Sequence, residues 1–328
     1  MSRVFVTGGS GVVGGAVVES LRARGEEVVA LARSEAAGAA LSSLGAEVVR
    51  GDLLDAEALA RGMQGCRTVF HVAGVNSLCV EDPGAMRRAN VEGPAAVVRA
   101  AARAGVERVV HTSSAATVGE PEGSVGREDT PHRGWFLSVY ERTKTEGEQV
   151  ALATGRTEGV PVVCVNPSSV QGPGRAGGTA RLLLAFLDGR LKLFVDTHVS
   201  LVDIADCAEG HLLAAERGVP GERYILNGMT ITIGEALRLA AEVAGVERRP
   251  RLVPRGLATV TASVVEGAFR LARRRPPVCR EMVRTLLHGH RYDGSRAERD
   301  LGLRYREPRE TLRRTVAWAR EAGLVRNA

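Results

Sequence analysis

Short runs of continuous apolar residues recur through the first half of the chain, at Val4–Thr7, Glu27–Leu31, Glu47–Val49, Thr68–Val72, Arg108–Thr112 and Val162–Val165. A strand covered on both faces has this pattern, because neither side of it meets water. Between the runs lie longer stretches with apolar residues three and four apart, among them Val12–Arg24, Ala85–Ala104 and Leu137–Ala153. That spacing predicts helices with one buried face. Strand and helix in alternation imply right-handed crossovers and an α/β fold built on a doubly wound parallel sheet. Ligands of such sheets bind outside the carboxyl ends of the strands, so chemistry is expected just after each run.

After Val165 the pattern changes. Asn166–Gly178 holds four glycines and two prolines and predicts a loop. Helical spacing then dominates, at Thr179–Leu187, Asp203–Glu216, Ile233–Ala244, Gly256–Arg273 and Arg309–Glu321, with one short strand at Arg223–Leu226. This divides the chain into a sheet-based part, residues 1–166, and a smaller, mostly helical region, residues 167–328, that caps the strand ends.

The chain of 328 residues is 44% apolar and 25% charged, as an ordered globular protein is. It has no apolar run of about 18 residues, so no membrane span is expected. Val4 follows the first three residues without a basic stretch and a long apolar core, so no secretory leader is expected either. The five cysteines are scattered and never form a Cys-x-x-Cys pair. They predict neither a disulfide framework nor a zinc site, and they fit a reducing cytoplasm. His288 and His290 have no third ligand at a metal-binding spacing, so no metal is expected. The net charge of +6 is spread along the chain. Its densest tract, Arg270, Arg273, Arg274 and Arg275, lacks interleaved aromatics and is read as a solvated helix end, not a nucleic-acid site. The helix Gly256–Arg273 is read as packing against protein and not as lying on a membrane surface.

The first strand runs into Gly8, Gly11 and Gly14 in a G-x-x-G-x-x-G turn that opens a helix at Val12 and Val13. Glycine permits the tight turn and lets backbone approach a pyrophosphate, and the helix N-terminus presents free N–H groups to it. A dinucleotide is the expected ligand. The end of the second strand reads Ala32-Arg33-Ser34-Glu35. Arginine there favours a ribose 2′-phosphate, with Ser34 as a second donor, so NADP is expected over NAD. Asp52, followed by Leu53, is placed either to accept from the adenine amino group or to cap the helix near Ala56.

Tyr140 and Lys144 lie four apart in a helical stretch and so share one face. A nearby ammonium lowers a phenol's pKa and suits it to proton exchange. Ser114 stands at the end of the fifth strand, on the same rim of the sheet. Only two of the 44 basic residues are lysines, Lys144 and Lys192, which makes the place of Lys144 informative.

In this order the residues resemble the extended short-chain dehydrogenase/reductase (NAD-dependent epimerase/dehydratase) family over essentially the whole chain. The resemblance rests on the glycine turn, Asp52, His71-Val72-Ala73-Gly74, Asn90, Ser114, Tyr140 and Lys144. The segments Asn166–Pro173 and Val202–His211 resemble its dihydroflavonol-reductase-like and hopanoid-associated epimerase-like branch, which also places arginine where Arg33 stands. The resemblance implies a Rossmann fold in which the chain returns to the first domain around residues 200–227. It implies Ser114, Tyr140 and Lys144 as a catalytic triad and Asp52 at the adenine. Ala73 and Gly74 would line the cofactor, Asn90 would support the site, and Pro167 and Ser168 would pass near the nicotinamide. Asp203 and Asp206 would be helix-start and interdomain residues. A homodimer is expected.

Three activities are open: carbonyl reduction with NADP(H), epimerisation of a nucleotide-sugar with retained NAD, and cofactor binding without catalysis. Sugar dehydration is disfavoured, because Ala115 and Ala116 follow Ser114 where an added acid and base would be needed. Arg33 favours net reduction, since an epimerase keeps NAD. The substrate pocket is expected from Val75–Val80, Ala115–Gly119, Trp135–Phe136 and the Asn166–Gly178 loop, where Leu78, Val80 and Phe136 suggest a partly apolar compound.

Overall fold

The computed structural model describes residues 2–254, 256 and 279–325. The basic tract at 270–275 and all but the first residue of the helix expected at Gly256–Arg273 lie outside the described residues. Strands β1 (Arg3–Thr7), β2 (Glu27–Ala32), β3 (Glu47–Arg50), β4 (Thr68–His71), β5 (Arg108–Thr112) and β6 (Val162–Pro167) fall where the apolar runs predict them. They form one parallel sheet with β10 (Arg223–Leu226), in the order β10-β6-β5-β4-β1-β2-β3. The order reverses between β1 and β4, which opens the crevice where doubly wound sheets bind ligands.

One face of the sheet is covered by α1 (Val12–Ala23), α2 (Glu35–Ser43) and α8 (Ile204–Arg217), around Val17, Leu21, Leu41, Leu212 and Tyr224. The other face is covered by α3 (Ala56–Met63), α5 (Gly93–Arg103) and α6 (Val139–Glu158), around Phe5, Leu59, Met63, Val97 and Ala151. The expected helix Ala85–Ala104 is divided. A short α4 (Pro83–Arg87) runs into a π-helical turn at Arg88–Glu92 and then into α5. The extra residue of such a turn lets Asn90 face the sheet rim.

The second half contains small sheets that the sequence pattern does not reveal. β7 (Ser169–Gln171) lies inside the expected loop and pairs with β9 (His198–Asp203), which pairs with β11 (Met229–Thr232). β8 (Leu193–Val195) pairs with β12 (Arg251–Val253). Three residues are too few to show a period. A separate core joins α7 (Thr179–Leu187), α9 (Ile233–Ala244) and α11 (Pro308–Glu321) through Leu184, Leu187, Leu237 and Leu312. A further helix, α10 (Arg280–His288), is joined to the residues just before α6 by Arg284, which donates to the Leu137 carbonyl. Among the described residues no helix is long and apolar enough to cross a membrane.

The reading of the cysteines needs correction. Cys79 and Cys279, 200 residues apart in sequence, form a disulfide, while Cys66, Cys164 and Cys207 are free and buried. Only folding brings the pair together, so spacing could not disclose it. Cysteine usage therefore no longer argues for a reducing compartment.

The placement of α6 is set by Gly147. A Cβ there would run into the carbonyl oxygen of Asn90. Gly147→Ala is expected to destabilise the protein by about 1–3 kcal/mol, the usual cost of overpacking a close contact. Denaturant unfolding measures this, and an unchanged midpoint would show that the helix can shift freely.

Candidate active site

The glycine turn forms the first wall. Gly8 has φ +73°, and a Cβ on it would collide with the backbone of Ala73. A Cβ on Gly14 would meet the Gly8 carbonyl, which binds the Gly11 N–H at 3.0 Å. Gly11 is the N-cap of α1, and no side chain caps the helix. The first-turn amides, at Val12 and Val13, are thus left for an anion, and the dipole of α1 favours one. These features fit a dinucleotide pyrophosphate.

Beside it, β4 ends in a tight hydrogen-bonded loop. Thr7 Oγ1 lies 2.7 Å from His71 Nδ1 and accepts from the Ala73 N–H at 3.4 Å. Asn90, wholly buried, accepts from the Val75 N–H at 2.8 Å through Oδ1. Its Nδ2 donates to the Val75 carbonyl at 3.0 Å and to Thr143 Oγ1 at 3.1 Å. Asn90 therefore ties the loop after β4 to the middle of α6. Gly74 lies beside Asn90 Oδ1 and Lys144 Nζ, where a Cβ would stand 3.1 Å from the first and 3.7 Å from the second.

Helix α6 starts at Ser138, whose side chain accepts from the Glu141 N–H. Two residues on, Tyr140 is half-buried and near enough to Ser114, the N-cap of the 3₁₀ turn Ala115–Val118 after β5, for that hydroxyl to act on its phenol. Lys144 is buried one turn further along and donates from Nζ to the Thr112 carbonyl at 2.7 Å. Asn166, at the end of β6, donates to the Ser114 carbonyl at 3.2 Å and to Glu148 at 2.6 Å. Ser114, Tyr140 and Lys144 thus meet on one rim of the sheet, next to Gly74.

The electrostatics differ from the expectation at Tyr140. Burial raises the phenol's pKa, and the hydrogen bond to Ser114 and the charge of Arg175 work against the rise. Lys144 does not supply the expected lowering, because its ammonium is committed to the Thr112 carbonyl. Burial pushes Lys144 itself down to about 8, against the attraction of Glu148. Burial, and then the charge of Lys144, push the buried His71 down to about 3, so it stays neutral below the site.

The remaining predicted residues are spread along the groove. Arg33 is exposed just beyond β2, and Arg50, at the end of β3, donates to its carbonyl at 3.4 Å. Ser34 caps α2, its hydroxyl accepting from the Ala37 N–H at 3.2 Å, which gives it a structural duty. Asp52 is not the cap of α3, a place taken by Asp55; its carboxylate accepts from the Leu54 N–H at 3.2 Å. Leu53 packs beside Gly93. Pro167 pairs with Leu226, and Ser168 donates its N–H to the Leu226 carbonyl at 2.9 Å while its hydroxyl is buried without a partner. Asp203 caps α8 and meets Arg314 at 3.1 Å; Asp206 accepts from the Arg306 N–H at 2.7 Å.

Several contributors were not foreseen. Arg175, from the loop after β7, brings its charge to Tyr140 with Nε buried and unpartnered. Helix α10 spans both walls of the groove. Glu281 accepts from the Cys79 N–H at 2.7 Å and from the Val139 N–H, and Arg284 donates to the Leu137 carbonyl. The adjacent disulfide fastens the same end of α10 to the loop after β4. Trp135, which the sequence did place in the pocket, is half exposed with Arg133 over its ring and stands near the start of α6. A separate open cleft of about 520 Å³, lined by Asn227, Tyr292 and Tyr305, contains none of these groups.

The geometry agrees with known proteins. The sequence profile of the NAD dependent epimerase/dehydratase family matches residues 4–227. Sterol demethylase protein B of Methylococcus capsulatus is 35% identical over 329 residues, which cover 98% of this chain and 99% of that protein. A 4-hydroxy-2-methyl-3-oxo-4-farnesyl-3,4-dihydroquinoline-1-oxide ketoreductase of Stigmatella aurantiaca is 34% identical over 308 residues, 92% of this chain and 91% of its own. The crystal structure of gox2253 superposes with a TM-score of 0.87 at 33% identity, covering 99% of this chain and 100% of that one. By its sheet, its glycine turn and the match along most of its length, the chain belongs to the NAD dependent epimerase/dehydratase family.

Proposed function

We propose that the protein is an NADP-dependent oxidoreductase that interconverts a carbonyl and a secondary alcohol of a small, partly apolar molecule. The observation that carries this reading is the gathering of Ser114, Tyr140 and Lys144 on one rim of the sheet, where Ser114 and Arg175 both act on the Tyr140 phenol and Lys144 lies one helical turn away. A dinucleotide held at the Gly8–Gly14 turn would supply the hydride for the carbonyl carbon. Ser114 and Tyr140 donate hydrogen bonds to the carbonyl oxygen. As that oxygen gains negative charge, the phenol proton passes to it and Tyr140 becomes a phenolate. Arg175 and the Ser114 hydroxyl offset the cost of that buried charge. The two N–H donors of Lys144 not used on Thr112 would hold a ribose hydroxyl of the dinucleotide. In the oxidative direction every proton step reverses.

NADP is favoured because Arg33 stands just beyond β2 and the Arg50 guanidinium, from the end of β3, reaches the Arg33 backbone carbonyl, so two arginines come from the same corner. That pair suits the double charge of a 2′-phosphate. Val75 and Trp135, exposed near the two walls of the groove, favour a substrate with an apolar portion. The names of the sterol and farnesyl-quinoline relatives support the same class. Epimerisation of a nucleotide-sugar through transient oxidation is the second reading, favoured by the family's description. Release of stoichiometric NAD on heating, without net NADPH turnover, would establish it in place of reduction.

Tyr140→Phe is expected to lower NADPH-dependent carbonyl reduction by about 10²–10⁴-fold, the usual share of general acid catalysis. NADPH fluorescence titration should show binding intact. Undiminished turnover would remove Tyr140 from its role.

Arg33→Ser combined with Arg50→Ser should weaken NADPH binding by about tenfold or more and leave NADH binding near its starting value. Each charge-assisted hydrogen bond is worth about 1.5–3 kcal/mol. Equal losses for both cofactors would exclude a 2′-phosphate site.

The charged form of Lys144 is lost as pH rises through about 8, so reductive kcat should fall across that range. Lys144→Arg, which does not deprotonate there, should shift the fall to the higher pH at which Tyr140 loses its proton. A pH–rate profile unchanged in this variant would assign the limb to another group.

A further inference from the structure

We infer that Glu120, His288 and His290 form a binding site for a divalent transition-metal cation of the zinc class, outside the Ser114–Tyr140–Lys144 grouping. The residues come from two distant parts of the chain, Glu120 from one and the His288–His290 pair from the other. Glu120 follows Gly119, whose φ of +61° turns the backbone out of the 3₁₀ turn after β5. His288 is the last residue of α10, and Gly289, with φ +71°, reverses the chain so that His290 returns beside it. The following residues are held against the same edge, where Gly126 donates to the Arg291 carbonyl at 2.9 Å and Asp293 donates to the Gly126 carbonyl at 3.0 Å.

The donor atoms converge. Glu120 Oε1 lies 2.7 Å from His290 Nδ1 and 3.3 Å from His288 Nε2, and one donor atom from each residue lies within 4.8 Å of the others. Glu120 is 1% exposed and His288 6%. Two polar atoms in the cluster have no hydrogen-bond partner, Glu120 Oε2 and His288 Nε2. Buried polar atoms are normally satisfied, and a cation accepting both lone pairs would satisfy these.

The chemistry of the set selects the ion. Two imidazoles and one carboxylate suit zinc, nickel or copper, and not calcium or magnesium, which take oxygen ligands. Zinc–nitrogen bonds of about 2.0–2.1 Å in a tetrahedron set donors about 3.3 Å apart, the separation already present at His288. Rotation of the Glu120 carboxylate brings Oε2 in and opens the shorter contact at His290. The Tyr292 hydroxyl, 2.9 Å from His290 Nδ1, stands beside the fourth position. The neighbouring cation, Arg133, is paired with Glu141 and donates to the Glu120 carbonyl. Arg133 thus joins the site to the first turn of α6, directly after Tyr140, and a bound ion would fasten the C-terminal segment to the catalytic helix.

The full-length protein, stripped with a chelator and with its disulfide intact, is titrated with zinc chloride by calorimetry, and bound zinc is counted by elemental analysis after dialysis. One equivalent is expected at a Kd on the order of micromolar or tighter. Glu120→Gln and His288→Gln should each weaken it by about tenfold or more, since even outer-shell changes cost about 10–100-fold. The double variant Cys79→Ser, Cys279→Ser should retain it. Cobalt(II) added to the wild-type protein should give the visible bands of a tetrahedral nitrogen–oxygen site without thiolate charge transfer, a readout that needs no variant to fold. Absence of zinc binding in the wild type would overturn the proposal. So would binding that survives both the Glu120 and His288 changes, or cobalt spectra dominated by thiolate.

Discussion

The position of α6 against the sheet controls the site. Two contacts set it. Gly147 lets the helix touch the Asn90 carbonyl, and Lys144 reaches the carbonyl of Thr112 at the end of β5. Both are backbone contacts made by residues of one helix, so they fix its height as well as its rotation. Tyr140 lies one turn before Lys144, and its phenol arrives at Ser114 because the helix is held at that height. A helix packed through bulky side chains would stand farther off, and the phenol would miss the serine. The π-helical turn at Arg88–Glu92 belongs to the same device. It turns Asn90 inward, where one amide bonds the loop after β4 and Thr143 of α6 together.

Electrostatics then determines what the assembled groups can do. The rim is dry enough to push His71 and His111 toward their neutral forms and to lower Lys144. In such surroundings an ionised phenol is costly, and an ammonium turned toward a carbonyl gives it limited help. Arg175 provides a second positive charge from a different element, the loop after β7. Lys144, pushed down to about 8 by burial, is sensitive to pH and to what it holds.

The C-terminal segment completes the groove from outside the sheet. Glu281 accepts from N–H groups on both walls, one in the loop after β4 and one at the start of α6. A carboxylate satisfied by two backbone donors is hard to displace, because leaving would strand all three groups. The disulfide at Cys79 holds the same end of α10. Chemistry is thus built on strand ends, where the backbone is rigid, while the covering segment is attached to them by a few polar contacts and one covalent bond.

This division explains which parts were legible in the sequence. The six parallel strands show as continuous apolar runs because both of their faces are buried, and the glycine turn shows because no other residue tolerates Gly8 and Gly14 at that separation. Ser114, Tyr140 and Lys144 sit at strand ends or share one helix face, so local spacing predicts their meeting. Arg50, Arg175, Glu281 and the Cys79–Cys279 pair carry no such mark. Each acquires its neighbours through tertiary contacts that no helical or strand period encodes. The short strands β7, β8 and β12 were invisible for a related reason, since three residues cannot display alternation. Asp52 shows the limit of motif reading from the other side. Its place after β3 left an adenine contact and a helix cap both open; Asp55, three residues later, accepts from the Ala58 N–H at 3.0 Å and takes the cap, while the Asp52 carboxylate accepts from the Leu54 N–H.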